Sequence, residues 1–244
     1  MKEKHPFLSF EQEGKIAYVT FNRPESRNAI STHDDCAELV AMFERLQNDA
    51  SVSCVVLTGT GSAFCAGGDL KAMKERGHNS IGGLDSPAAT RANYRRGVQR
   101  VIREIWECEV PIIAAINGPA IGLGCDLACA CDLRIASDNA RFSASFINVG
   151  LVPGDGGAWI LPRTIGLAKA TEMIFTGDRL DAQQALEYGL ISKVVSPESL
   201  LGEAKLLATK IVAQPAKALR LAKRLLREAQ HQRLSDVLEL SAAY

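Results

Sequence analysis

The 244-residue chain carries 28 basic and 28 acidic residues, and no Lys/Arg run forms the positive patch that a nucleic-acid partner would require. Its 47% hydrophobic and 23% charged content is that of a globular protein long enough to bury a sizeable core, and no stretch approaches the roughly 20 uninterrupted apolar residues of a membrane span. The seven cysteines are odd in number and sit among apolar residues in a chain too large to need disulfide staples; with an N-terminal apolar stretch too short for a signal peptide, they predict free thiols and a cytoplasmic protein.

Phe7 to Gln12 and Lys15 to Phe21 alternate around Glu13-Gly14, which predicts a β-hairpin. Ser31 or Thr32 then caps a helix whose apolar positions Cys36, Leu39, Val40, Phe43 and Leu46 recur at helical spacing, ending near Asn48. Val52 to Leu57 and Pro111 to Ile116 are short β-branched runs, each ending in a Gly-containing turn that leads into a helix, Leu70 to Arg76 and Gly124 to Cys131. The stretch between Gly77 and Thr90 has no periodicity and several breakers, and reads as a mobile surface loop that could serve as a lid. Beyond Pro153 the chain is mainly helical, with stops at Gly166, Gly177 and Gly189, a strand at Leu190 to Val195, and helices on either side of Pro215. The class is α/β, with a core over residues 1–195 and a helical region over 196–244.

Two turns carry candidate chemistry. Ser62-Ala63-Phe64-Cys65-Ala66-Gly67-Gly68-Asp69-Leu70 is a run of small residues entering a helix, where backbone N–H groups are unpaired and attract negative charge. Asn117-Gly118-Pro119-Ala120-Ile121-Gly122-Leu123-Gly124-Cys125-Asp126 repeats that design and adds a carboxylate. Taken singly, each is also what a tight strand-to-helix turn looks like, with Asp69 as a cap or Asp126 in a dipole-favoured first turn. Cys125, Cys129 and Cys131 have the spacing of a buried helix face rather than of a zinc site, so no metal is expected. His5, His33, His78 and His231 lie outside both turns, and no P-loop or dinucleotide fingerprint is present.

Together the turns resemble the crotonase (enoyl-CoA hydratase/isomerase) superfamily. The resemblance extends to Phe21-Asn22-Arg23-Pro24, to Arg27-Asn28-Ala29, and to Gly150-Leu151-Val152-Pro153-Gly154-Asp155-Gly156-Gly157. It implies a spiral of ββα units followed by a helical region that mediates trimerisation, as a homotrimer or a hexamer built as a dimer of trimers. It implies an acyl-CoA thioester substrate, with coenzyme A arriving as part of the substrate and no permanently bound cofactor. The N–H groups of Gly68 and Leu123 would form an oxyanion hole for a thioester enolate, with Leu123 standing where the family usually has Gly. Coenzyme A would lie against Ser26, Arg27 and the run Ala66, Gly67, Gly68, Asp69, Leu70 and Lys71, with Arg23 adding charge; Lys71 is equally a solvated helix residue.

Hydratases of the family use two glutamates. The first falls on Asp126, which retains a carboxylate and is expected to be the principal proton-transfer group; the second falls on Phe146, which cannot carry a proton. Ser143, Ser145 and Asn148 are polar neighbours but poor replacements. Asp155, in the Pro-Gly-x-Gly-Gly turn, is a second candidate acid, or else a polar turn residue facing solvent. Enoyl-CoA hydratase is the leading expectation; a single-carboxylate enoyl-CoA isomerase and a catalytically weak acyl-CoA-binding or scaffold protein are the alternatives. Family chains usually continue for a further helix or two, so either a tail is omitted here or a neighbouring subunit covers the nucleotide.

Overall fold

The computed structural model describes residues 7–75, 79–82 and 86–244. The chain opens with strands β1 (Leu8–Glu13) and β2 (Ile16–Phe21), an antiparallel hairpin turned by Gly14 at φ 57°. Helix α1 (His33–Asn48) follows, its Thr32 cap and Asp35 forming a reciprocal capping box. Burying its Leu39, Phe43 and Leu46 contributes about 1.5–3 kcal/mol each. Then come β3 (Cys54–Gly59), α2 (Leu70–Glu75), α3 (Pro87–Arg96), α4 (Val98–Glu107), β4 (Ile112–Ile116), β5 (Ala120–Ile121) and α5 (Leu123–Ala130). The order continues with β6 (Leu133–Ser137), β7 (Arg141–Ser143), α6 (Gly157–Ile165), α7 (Leu167–Thr176), β8 (Leu180–Asp181), α8 (Ala182–Glu187) and β9 (Lys193–Val195). Helices α9 (Leu200–Val212), α10 (Ala216–Glu228) and α11 (Leu234–Ala243) end the chain.

The main sheet has the order β1-β2-β3-β4-β6-β9, parallel from β2 onward, and a small sheet pairs β5, β7 and β8. Both faces of the main sheet are covered, and the period-2 alternation of a strand sorts its side chains between them. Val55, Leu57, Ile112 and Ala114 pack with α1 residues such as Leu39 and Phe43. Cys54, Val56, Ile113 and Ala115 pack with Leu200, Ala204 and Ala208 of α9. Helix α10 is fastened by cations: Lys223 Nζ donates to Val110 O at 2.9 Å and pairs with Asp132 at 2.7 Å, and Arg220 donates to Gln47 O at 2.6 Å. Among the described residues no helix is long and apolar enough to cross a membrane.

Two expectations need correction. The stretch from Gly77 to Thr90 is not uniformly a surface loop: Ile81 is 1% exposed, and α3 begins at Pro87 behind a Ser86 cap. Residues 76–78, which include His78, and 83–85 lie outside the described residues. The strand foreseen from Leu190 is shorter, beginning at Lys193, because Leu190 and Ile191 are used as core side chains against the helices rather than in the β6 ladder.

Candidate active site

Strands β3 and β4 are adjacent and parallel, so the turns that follow them emerge at the same edge of the sheet. The two turns then pair with each other: Phe64 N and Cys65 N donate to Pro119 O at 3.1 and 3.2 Å, and Ile121 N donates to Cys65 O at 3.0 Å. Gly124 must lack a side chain, because a Cβ there would collide with the Cys65 carbonyl oxygen. Gly67, at φ 91°, lets the first turn run against the backbone of Ile121 and Leu123.

This pairing brings the Gly68 and Leu123 N–H groups to one cavity of about 120 Å³. Among the described residues neither N–H donates to another protein group. Leu123 is the first residue of α5, so its N–H has no acceptor within the helix and points along the positive end of the helix dipole. Two such donors at a cavity wall are suited to an oxygen that gains negative charge. The Leu123 side chain is buried in the core, which leaves its backbone to face the cavity. The other walls are Leu70, Met73, Ile81, Tyr94, Val98, Phe146, Leu151 and Asp155. The Phe146 ring stands over Gly122, at the second turn.

Asp155 is 4% exposed, which overturns its reading as a solvent-facing turn residue. It lines this cavity and also a second cleft bounded by Gln99, Trp106, Trp159 and His231. Asp126 is fully buried and does not line either cavity; α5 and α6 pack so that its carboxyl group meets that of Asp155 from behind. Both Asp126 oxygens and Asp155 Oδ1 lack a hydrogen-bond donor among the described residues. The Gly157 N–H lies close enough to relieve Asp126 slightly without the geometry of a hydrogen bond. Gly157 has no side chain for a reason: a Cβ there would strike the Asp126 carboxylate.

Burial, then the Asp155 charge and contact, push the Asp126 carboxyl well above the usual aspartate range. Burial also raises Asp155, but its contact with Asp126 works in the opposite direction. The two therefore titrate as a coupled pair, both raised by burial, with Asp126 the one pushed further by its neighbour. Tyr94, raised by burial and then by the Asp155 charge, completes this end of the cavity, its ring packed on Gly154.

The residues expected to meet coenzyme A are brought together: Ala66 N donates to Arg27 O at 3.0 Å, placing Ser26 and Arg27 beside the run from Ala66 to Lys71. Asn28 organises this corner, accepting from Arg23 N and donating to Ala63 O at 2.8 Å. Asp69 is a helix cap, accepting from Lys71 N at 2.9 Å and Ala72 N at 3.1 Å while Ser31 Oγ donates to its other oxygen. Burial pushes its carboxyl upward, but these donors outweigh it and hold Asp69 below the ordinary value. Leu70 is half exposed and Lys71 is exposed, 4.0 Å from Glu75. Ser143 is spent on structure, its hydroxyl donating to Gly177 O, as is the Asn148 amide.

The profile of the family described as enoyl-CoA hydratase/isomerase matches residues 11–244. The chain belongs to that family. Among its relatives is a short-chain-enoyl-CoA hydratase of Clostridium acetobutylicum, 41% identical over 216 residues that make up 87% of this chain and 78% of the relative. Another is a 1,2-epoxyphenylacetyl-CoA isomerase of Escherichia coli, 34% identical over 98% of this chain and 88% of the relative. The crystal structure of an enoyl-CoA hydratase from Bacillus anthracis superposes with a TM-score of 0.89 at 32% identity, covering 97% of this chain and 88% of that one. The family's α/β fold with a helical C-terminal region is thus the fold of this chain. Sequence reasoning missed Tyr94 and Ile81 as cavity walls, and it did not foresee that Asp126 and Asp155 touch; Gly157, a glycine forced by a carboxylate, was the available signal for that contact.

Proposed function

We propose that the protein is an enoyl-CoA hydratase for short acyl thioesters. The observation that carries this reading is the pair of unengaged N–H groups, Gly68 and Leu123, heading a cavity whose wall holds the buried, donor-less Oδ1 of Asp155. A thioester carbonyl oxygen set between the two donors would gain most from them as it becomes an enolate, and losing one such donor typically costs about 100-fold to 1000-fold in rate. Ionised Asp155 would take a proton from water as the water oxygen bonds to the β-carbon and the electron pair of the double bond moves onto the thioester oxygen. Asp155 would then return that proton to the α-carbon as the enolate collapses. One proton enters and one leaves, so the pair ends as it began, with the Asp126 carboxyl packed behind Asp155 throughout.

The cavity of about 120 Å³ supports a short acyl chain, since clefts for drug-sized ligands run to roughly 300–1,000 Å³. Coenzyme A would enter as part of the substrate along Ser26, Arg27 and Ala66 to Lys71, with no permanent cofactor. Exposed Val152, Leu167 and Phe175 support burial between copies in a homotrimer or dimer of trimers, which sedimentation would reveal. Free, buried thiols suit a cytoplasmic location.

Phe146 in place of a second acid favours one other reading, an isomerase in which Asp155 alone moves a proton along the acyl chain. Incubation with crotonyl-CoA and longer trans-2-enoyl-CoAs, followed at the conjugated thioester absorbance and by product analysis, tests both. A 3-hydroxyacyl-CoA product is expected. A 3-enoyl product would move the assignment to the isomerase, and binding without turnover would make the protein an acyl-CoA-binding member of its family.

A further inference from the structure

Residues 79–82 belong to no helix and no strand, yet Ile81 is sealed into the cavity wall, its Cδ1 3.6 Å from the place a Cβ on Gly68 would occupy. Its backbone is tied only by an isolated antiparallel bridge between Ser80 and Thr32, so the carbonyls that flank Ile81 rely on a side chain. The side chain that supplies the hold is Asn93, on α3 and itself 3% exposed. Its Nδ2 donates to Ser80 O at 3.0 Å and to Gly82 O at 2.7 Å, the carbonyls on either side of Ile81. With both amide hydrogens used, its Oδ1 can only accept, and it faces the ring Nε2 of His33; the network therefore fixes the proton of His33 on Nε2. His33 N also donates to Asn79 O at 2.9 Å, and Ser80 Oγ donates to Ala72 O at 3.1 Å. Gly82 lies so close to Met73, another cavity wall, that a Cβ there would stand 2.9 Å from its backbone.

We propose that Asn93, braced by His33, is the residue that fixes the cavity roof of Ile81 over the Gly68 donor, and so sets the length of acyl chain the protein accepts. This rests on the acyl-CoA reading of the cavity. Asn93 touches no substrate in this arrangement; it is a positioning residue whose three polar contacts convert an irregular segment into a rigid wall. Tyr94, its neighbour on α3, faces the cavity directly, so the helix that latches the roof also supplies part of the wall.

The test compares crotonyl-CoA with trans-2-octenoyl-CoA in wild type, Asn93→Leu and His33→Leu. Asn93→Leu preserves the approximate volume and removes both donors and the acceptor; His33→Leu loosens Asn93 from outside and decides the matter if Asn93→Leu does not fold. In either variant the ratio of kcat/KM for the octenoyl over the crotonyl thioester is expected to rise roughly tenfold or more, the size of effect that acyl-pocket fit confers. Ile81→Ala, which opens the roof with the latch intact, should shift the ratio in the same direction. Equal losses on both substrates in the folded latch variants, leaving the ratio unmoved, would overturn the proposal. If the wild type binds acyl-CoA without turning it over, the catalytic reading fails alone, and the same ratio is read from calorimetric affinities for butyryl-CoA and octanoyl-CoA. A wild type that binds neither thioester sinks the proposal together with the reading beneath it.

Discussion

Asp35 and Asp126 are both aspartates withdrawn from solvent, at 2% and 0% exposure, and their carboxyls are shifted in opposite directions. Asp35 receives both arms of the Arg23 guanidinium at 2.8 and 3.0 Å and the N–H groups of Ser31 and Thr32 at 2.8 and 3.0 Å. Burial pushes its carboxyl upward, yet those donors outweigh burial and hold it below the ordinary value. Among the described residues no donor is aimed at buried Asp126, which has a carboxyl for a neighbour, and it is pushed well above that value. Burial alone decides neither charge nor role; the number of donors aimed at the carboxylate does. The first site fastens the start of α1 to the chain before it. The second keeps a proton ready beside a cavity.

The largest effect expected from this contrast is on rate. Asp155→Asn should lower turnover by about 100-fold to 10,000-fold, as when a general acid/base is lost, while circular dichroism and acyl-CoA affinity hold. Asp126→Asn should cost less, since its amide can still donate to Asp155. Steady-state kinetics showing the reverse order would return the principal role to Asp126.

Next in size is the structural site. Asp35→Ala leaves the Arg23 guanidinium with only the Phe7 ring among its described contacts and removes the α1 capping box, at a cost of about 3 kcal/mol. In a chain of this length each kcal/mol corresponds to roughly 2–4 °C in Tm. Because Asp35 is lowered, its stabilisation is present above the ordinary aspartate value of 3.8 and fades as pH falls through the lowered one. The Tm gap between variant and wild type should therefore narrow in acid. A constant gap would mean that the ion pair is not what the variant lost.

The smallest effect sharpens the other half of the comparison. A raised acid binds more protons folded than unfolded, so Asp126 weakens the fold progressively as pH rises from 3.8 through its raised value. Asp126→Asn, which has no charge to bury, should flatten that decline and be more stable than wild type at about pH 8, with the advantage vanishing below the ordinary aspartate value. Thermal melts across pH check it; parallel curves for the two proteins would show that Asp126 is not raised.

Much of this was readable in the residues themselves. The Gly14 hairpin, the Thr32 cap and the two Gly-rich turns each depend on local chemistry, so the sequence carries them intact. Adjacency of the turns could be inferred only through resemblance, because it depends on β3 pairing with β4. The two-residue strand β5 and the three-residue β7 are too short to show alternation, and α4, with Val98, Val101, Ile102 and Ile105 inward, lay unread behind the Arg-rich end of α3. The Asn93 latch was invisible for a related reason: a lone Asn among arginines gives no sign that its partners are the carbonyls of an irregular segment. The Asp126 and Asp155 contact required the packing of α5 on α6.

The seven thiols have a consequence for a protein that handles conjugated thioesters. Such substrates are alkylating agents, and the thiolate is the form of cysteine they capture. Every cysteine of the chain is buried, and burial pushes Cys36, Cys54, Cys65 and Cys131 up to about 12. Cys65 lies one residue from the cavity wall at Ala66, where burial disfavours its thiolate. Cys129 is held below its usual value by contact with the Cys125 thiol and is 3% exposed, on a cleft lined by Arg134 and Ile160 and apart from the acyl cavity. The fold thus sets burial between the thiols and an electrophile bound in the cavity.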